Sequence, residues 1–165
     1  MKHLYLLCLL IQISSLHAKI WQVGPSRPYL VPSAVASLVA DGDTVEIDAG
    51  LYTGNVAKWF ANNLVIRSVG NGYAHLEAGG NNAEGKAIWV IKGANCTVEG
   101  IEFSGCKVPD HNGAGIRQEG KDLTLRNCYF HHNEMGILTS NDGVSNFDFE
   151  STEFSFNGYG DGYSH

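Results

Sequence analysis

Three segments of this chain lie over one another: NCTVEGIEFSGC from Asn95, DLTLRNCYFHHN from Asp122 and NFDFESTEFSFN from Asn146. Their first apolar markers, Val98, Leu125 and Phe149, are 27 and 24 residues apart, and Phe103, Phe130 and Phe154 repeat the same two intervals. Upstream, Ile47 and Ile66 extend the first line, while Tyr52 and Leu76 extend the second. A third line runs through Ile88, Ile116 and Ile137, each in a small-residue context (KAIWV, AGIRQ, MGILT). Short β-branched and aromatic runs bounded by Gly and Asn are strand signals. Three such strands recurring every ~20–30 residues describe one coil of a solenoid. A barrel or sandwich of hairpins needs tight two-residue turns and strict alternation, and neither is regular in this sequence.

The expected fold class is therefore all-β, a right-handed parallel β-helix. Each coil contributes three strands, and like positions stack ~4.8 Å apart along the axis. Every inward side chain then touches its own equivalent above and below, which accounts for the phenylalanine file. The interval varies from 19 residues (Ile47 to Ile66) to 32 (Ile66 to Val98). Stacked strands cannot absorb such variation, so the stretches 71–85 and 107–113 are expected as protruding loops. The 20 glycines among 165 residues fit a chain with many tight turns. At the N-terminal end, PSAVASLVADGD (32–43) predicts a short capping helix with Ser33 as N-cap, one face of Val35, Leu38 and Val39, and Gly42 past its end. About five coils are expected, with no capping element after Phe147, so the β-helix domain over 19–165 is expected to be C-terminally incomplete.

Residues 1–18 are expected to lie outside this fold. Lys2 and His3 precede the apolar stretch Leu4 to Ile13, and small residues lead to Ala18, the pattern of a secretory signal peptide cut after Ala18. The stretch is shorter than the ~20 residues a bilayer span needs. The expected location is secreted or periplasmic. Cys96, Cys106 and Cys128 then remain, an odd number without a CxxC pair. They are expected as buried, unpaired thiols, with one disulfide plus one free thiol as the alternative. The net charge of −6 argues against a nucleic-acid partner or an anionic membrane surface held by bulk electrostatics.

RPYLVPSAVASLVADGDTVEIDAGLY, with its capping stretch, Gly-Asp-Thr strand start and AGxY turn, resembles the opening of the pectin-lyase-like superfamily of secreted right-handed β-helices. GIEF, AGIRQEG and LRNCYFHHNEMGI are similar to its generic repeats. The resemblance implies the fold over residues 20–165. Such repeats serve lyases, epimerases, hydrolases, adhesins and phage tailspikes alike, and no catalytic signature of the superfamily maps onto this sequence.

Candidate residues therefore come from the pattern itself. With Val98, Leu125 and Phe149 inward, Glu99, Arg126 and Glu150 point outward and stack in a file, flanked by Thr97, Thr124 and Asp148. Arg126 between two carboxylates is a candidate to grip a uronate, with Glu99 and Glu150 as substrate-binding neighbours; the competing reading is an exposed ion-pair ladder. In HHNEMG, His131 and His132 are candidate general bases, although neighbours in an extended segment point oppositely. Asn133 and Asn157 are expected as turn residues with positive φ, stacked as an amide ladder. Arg117 belongs to a third group with Asp110, His111 and Glu119. Asp110, Glu119, Asp142 and Asp161 offer oxygens for Ca²⁺, but no calcium-loop spacing occurs, so no metal ligands are assigned. Tyr159 is a candidate platform for a sugar ring, whereas Trp59 and Trp89 are expected in the core. Together these point to a protein acting on or binding an acidic polysaccharide as a lyase or epimerase. The alternatives are a non-enzymatic glycan- or surface-binding β-helix and an inactive fragment of a longer enzyme.

Overall fold

A computed structural model describes residues 18–140 and 143–158. The proposed signal segment up to His17, together with Asp142, Tyr159 and Asp161, lies outside the described residues. In chain order the strands are β1 (Ile20–Val23), β2 (Thr44–Leu51), β3 (Ala57–Trp59), β4 (Val65–Glu77), β5 (Ala87–Ile91), β6 (Cys96–Glu99), β7 (Ile101–Ser104), β8 (Ala114–Gln118), β9 (Leu123–Arg126), β10 (Tyr129–His131), β11 (Met135–Thr139), β12 (Phe147–Glu150) and β13 (Glu153–Ser155). Every pairing between them is parallel. Parallel partners come from successive passes of the chain, the hallmark of a solenoid.

Three faces result. The first stacks β1, the leading part of β2, the leading part of β4, then β6, β9 and β12, six levels where five coils were expected. The second stacks the ends of β2 and β4, then β7, β10 and β13. The third stacks β3, β5, β8 and β11.

Left-handed residues turn the corners. Gly100, Asn127 and Ser151 (φ +67°, +48° and +48°) separate the first face from the second, and Asn63, Asn95 and Asp122 (φ +53° to +57°) precede the first face. Asn and Asp tolerate this region because their short side chains bond locally. Gly105, His132 and Phe156 (φ +74°, +53° and +52°) end the second face. The positive φ expected at Asn133 and Asn157 thus falls one residue earlier. Those two asparagines do form the amide ladder. Asn133 is fully buried, and its Nδ2 donates to the Phe103 carbonyl at 3.0 Å and to Asn157 Oδ1 at 3.2 Å.

The core is a set of stacked files. Phe103, Phe130 and Phe154 stand in register, with ring centroids 4.9 and 4.8 Å apart and planes tilted by only 16° and 12°. Leu76 pairs with Phe103, and the Tyr52 amide bonds to the His75 carbonyl, so the second line extends upstream as expected. Trp59 and Trp89 are fully buried and meet edge to face at 5.3 Å. Opposite the phenylalanines the third face narrows. A Cβ on Gly115 would stand 2.5 Å from Phe130 Cδ1, and one on Gly136 2.7 Å from Phe154 Cδ1. The small residues of AGIRQ and MGILT therefore make room for the rings.

Four further expectations change. Val45, not Ile47, pairs with Ile66; both are buried, so alternation alone left two equivalent choices. Trp89, not Ile88, stands beside Ile116. Both are buried in the core, so the apolar pattern could not separate neighbours in an all-apolar strand. The stretch 71–85 is not all loop, because β4 continues through Glu77 and Ala74 pairs with Ile101. Finally, 32–43 forms a single 3-10 turn, Pro32–Ala34, followed by further turns rather than an amphipathic helix. Ser33 does not cap it, since its hydroxyl accepts from Asn55 Nδ2 at 2.7 Å. Val35 is buried in the core but Leu38 is 48% exposed. So short a segment gains too few helical bonds to offset nucleation.

The Gly-Asp-Thr start of β2 acquires a physical role. Gly42 takes φ +84°, and the buried Asp43 accepts from Trp21 Nε1 (2.7 Å), the Lys19 amide (2.8 Å) and the Ala40 amide (2.9 Å). Burial pulls its pKa up, but these donors and the Lys19 charge outweigh that and hold it below the ordinary carboxylate value. Cys96, Cys106 and Cys128 are buried and unpaired, so no disulfide links them. No helix among the described residues is long and apolar enough to cross a membrane.

Candidate functional site

The outer side of the first face carries a charge ladder. Glu46, Arg67, Glu99, Arg126 and Glu150 occupy consecutive levels in register. Arg67 bonds Glu46 at 2.6 Å and Arg126 bonds Glu150 at 3.1 Å. Arg126 thus stands between Glu99 and Glu150, as the sequence places it, with its guanidinium engaged by the exposed Glu150 carboxylate.

The third predicted group is divided among partners. Asp110 pairs with Lys86 at 2.7 Å, His111 lies 3.8 Å from Glu134, and Lys92 sits at 3.0 Å from both Glu84 and Glu119. Arg117, on β8 between Val90 and Leu138, has its Nε 3.6 Å from Glu119. The two described carboxylates proposed for Ca²⁺, Asp110 and Glu119, are held by different lysines. Glu134 is 4% exposed and accepts the Val108 and Gly113 amides at 3.0 and 2.7 Å. It clamps the 107–113 loop onto the coil.

Chemistry converges instead on the outer side of the second face. Its strands are parallel and rigidly stacked, so His75 on β4 pairs with Glu102 on β7, and His131 on β10 pairs with Ser104 one alternation further along. Glu102 Oε1 is 2.8 Å from His131 Nε2 and 3.5 Å from His75 Nε2. His75 Nε2 also meets Ser104 Oγ at 2.7 Å. One ligand atom from each of His75, Glu102 and His131 lies within 4.8 Å of the other two. All three side chains are half-buried, at 27%, 19% and 15% exposure. Burial is the main cause that lowers the His75 pKa, with His131 adding to it, against the pull of Glu102 and Glu77. His75 is therefore biased toward the neutral imidazole.

His131 and His132 do not diverge as extended neighbours would. His132 adopts φ +53°, which swings its ring back until the two Nδ1 atoms are 2.7 Å apart. An ionised Glu102 can only accept, so His131 Nε2 donates to it, His131 Nδ1 accepts, and His132 Nδ1 donates. That chain leaves the Nε2 lone pair of the exposed His132 free to take a proton. Tyr129 stacks on His131 at 4.3 Å and Phe156 on His132 at 5.5 Å, fixing both rings.

Sequence reasoning reached His131 and His132 but missed His75 and Glu102. His75 fell inside the stretch read as loop. The signal is nonetheless in the sequence: aligning Leu76 with Phe103 places His75 beside Glu102 on the outward flank.

A family model described as a right handed beta helix region matches residues 49–164. No curated protein and no solved structure matches the chain.

Proposed function

The chain belongs to the right-handed β-helix family, of the pectin-lyase-like kind, and from that premise we propose that it acts on an acidic polysaccharide as a lyase or epimerase, outside the cell membrane or in the periplasm. The observation that carries this reading is the Glu102–His131–His132 chain of hydrogen bonds on the outer side of the second face. Both reactions begin by removing the proton beside a uronate carboxylate. His132 Nε2 is the base, and the imidazolium it becomes is oriented by its hydrogen bond to His131 and stabilised by the negative charge of Glu102 beyond it. That proton becomes acidic enough only when the neighbouring carboxylate is neutralised by a cation or an arginine; Arg126, on the adjoining first face, is proposed to grip another uronate of the same polymer. The long flat faces of a solenoid suit an extended polymer.

The test is purified protein mixed with pectate, alginate and related uronate polymers. A lyase gives ultraviolet absorbance from the unsaturated product, and an epimerase gives solvent deuterium at the sugar carbon. His132→Ala should abolish turnover with the polymer still retained, and Arg126→Ala should weaken retention. Absence of both signals across the panel, with and without added divalent cations, would remove the enzyme reading. Retention on immobilised polymer would then leave a non-enzymatic glycan binder.

A further inference from the structure

We infer that His75, Glu102 and His131 form a binding site for a zinc-class divalent transition metal. A tetrahedral zinc site with bonds of ~2.0–2.1 Å places its ligand atoms ~3.3 Å apart. The two distances to Glu102 Oε1, 2.8 and 3.5 Å, bracket that separation, and the three ligand atoms all lie within 4.8 Å of one another. Two imidazole nitrogens and one carboxylate oxygen are a ligand set that suits zinc and leaves a fourth position for water. Calcium would need 6–8 oxygens, which this cluster does not offer.

The scaffold adds two features of a metal site. The ligands stand on three consecutive hydrogen-bonded strands, β4, β7 and β10, so little ordering remains to be done on binding. His131 also has a partner on its far nitrogen, His132 Nδ1 at 2.7 Å, and second contacts of this kind fix the tautomer of a ligating imidazole. With Nε2 on the ion, the His131 proton has to sit on Nδ1 instead, from which it donates to His132 Nδ1. The outward nitrogen of His132 then carries a hydrogen instead of a lone pair. Metal binding and the base described above are thus alternative states of one chain of groups, and the metal would inhibit proton abstraction.

The inference does not rest on the polysaccharide reading, and its test needs no substrate. Chelator-stripped, untagged protein is titrated with zinc by calorimetry and with cobalt by visible absorption. One zinc per chain and tetrahedral cobalt bands are expected. His75→Ala and His131→Ala should abolish both, His132→Ala should weaken zinc ~10–100-fold, and His111→Ala, a histidine outside the cluster, should change neither. Zinc held equally well by the His75→Ala and His131→Ala proteins would overturn the site. Where a variant fails to fold by circular dichroism, the parent decides: no tetrahedral cobalt spectrum would overturn it as well.

Discussion

Replacing Gly115 by alanine tests the core in the place where it is tightest. Gly115 does not occupy the left-handed region, so the backbone alone would favour alanine by ~0.4–1 kcal/mol. The cavity opposes it. The added Cβ would lie 2.5 Å from Phe130 Cδ1 and 2.9 Å from both Phe130 Cε1 and Phe103 Cβ, against ordinary contacts of 3.4–4 Å. Phe130 cannot retreat, because it is fully buried and sandwiched between rings at 4.9 and 4.8 Å. Overpacking of this kind costs ~1–3 kcal/mol, so a net loss of about 1–2 kcal/mol is expected. With a urea dependence of ~2 kcal/mol/M, the unfolding midpoint falls by ~0.5–1 M. A smaller ring partner should remove the penalty: in a Phe130→Leu background the same substitution should be nearly neutral, giving a coupling of at least ~1 kcal/mol in the double-mutant cycle. Gly105→Asn serves as a control. Nothing lies within 4 Å of its Cβ position, and its counterparts His132 and Phe156 already adopt the same left-handed backbone. A neutral or stabilising Gly115→Ala, or strict additivity with Phe130→Leu, would refute the assigned packing.

Two further outcomes follow from buried titratable groups. Asp43 has a folded pKa held below its ordinary 3.8, so its stabilisation is complete above that value and is lost as pH falls through the folded one. Asp43→Asn should flatten this part of the acid-unfolding curve, and Asp43→Ala should cost ~1–3 kcal/mol by orphaning the buried Trp21 indole N–H; unchanged acid slopes would contradict the assignment. Burial pushes the Cys106 thiol up to about 12, with Glu134 adding to it, and burial likewise lifts Cys128 to about 11 against several backbone bonds. Both should resist alkylation at mildly alkaline pH in the native protein and react at once in denaturant, with rapid native labelling as the contrary result.

The fold was legible because a solenoid writes its geometry into the sequence as an interval. Phe103, Phe130 and Phe154 announce their own register, and the file they form is the one found. Where strands are apolar throughout, as in β5, the interval loses its phase, and Ile88 and Trp89 become interchangeable as the marker. The helix expected over 32–43 gives way to a 3-10 turn because so short a segment gains too few helical bonds, and Ser33, bonded to Asn55, does not cap it. The cluster on the second face was harder to see. Its members are 27 and 29 residues apart, a spacing that carries no motif until the coils are stacked, and one of them lay in a supposed loop. The bend that brings His132 back to His131 is a single left-handed residue, invisible to any rule that treats the segment as extended.

The ladder Glu46–Arg67–Glu99–Arg126–Glu150 has a bearing on how the coils find their places during folding. Phenylalanine and asparagine files look alike at every level, so they reward stacking without distinguishing the adjacent coil from the next but one. Alternating charge does distinguish them. A coil that skipped its neighbour would set Glu46 against Glu99, or Arg67 against Arg126, and like charges on adjoining strands repel. The outer face therefore supplies an order of assembly that the interior lacks, and it does so in side chains that add little to the stability of the finished molecule.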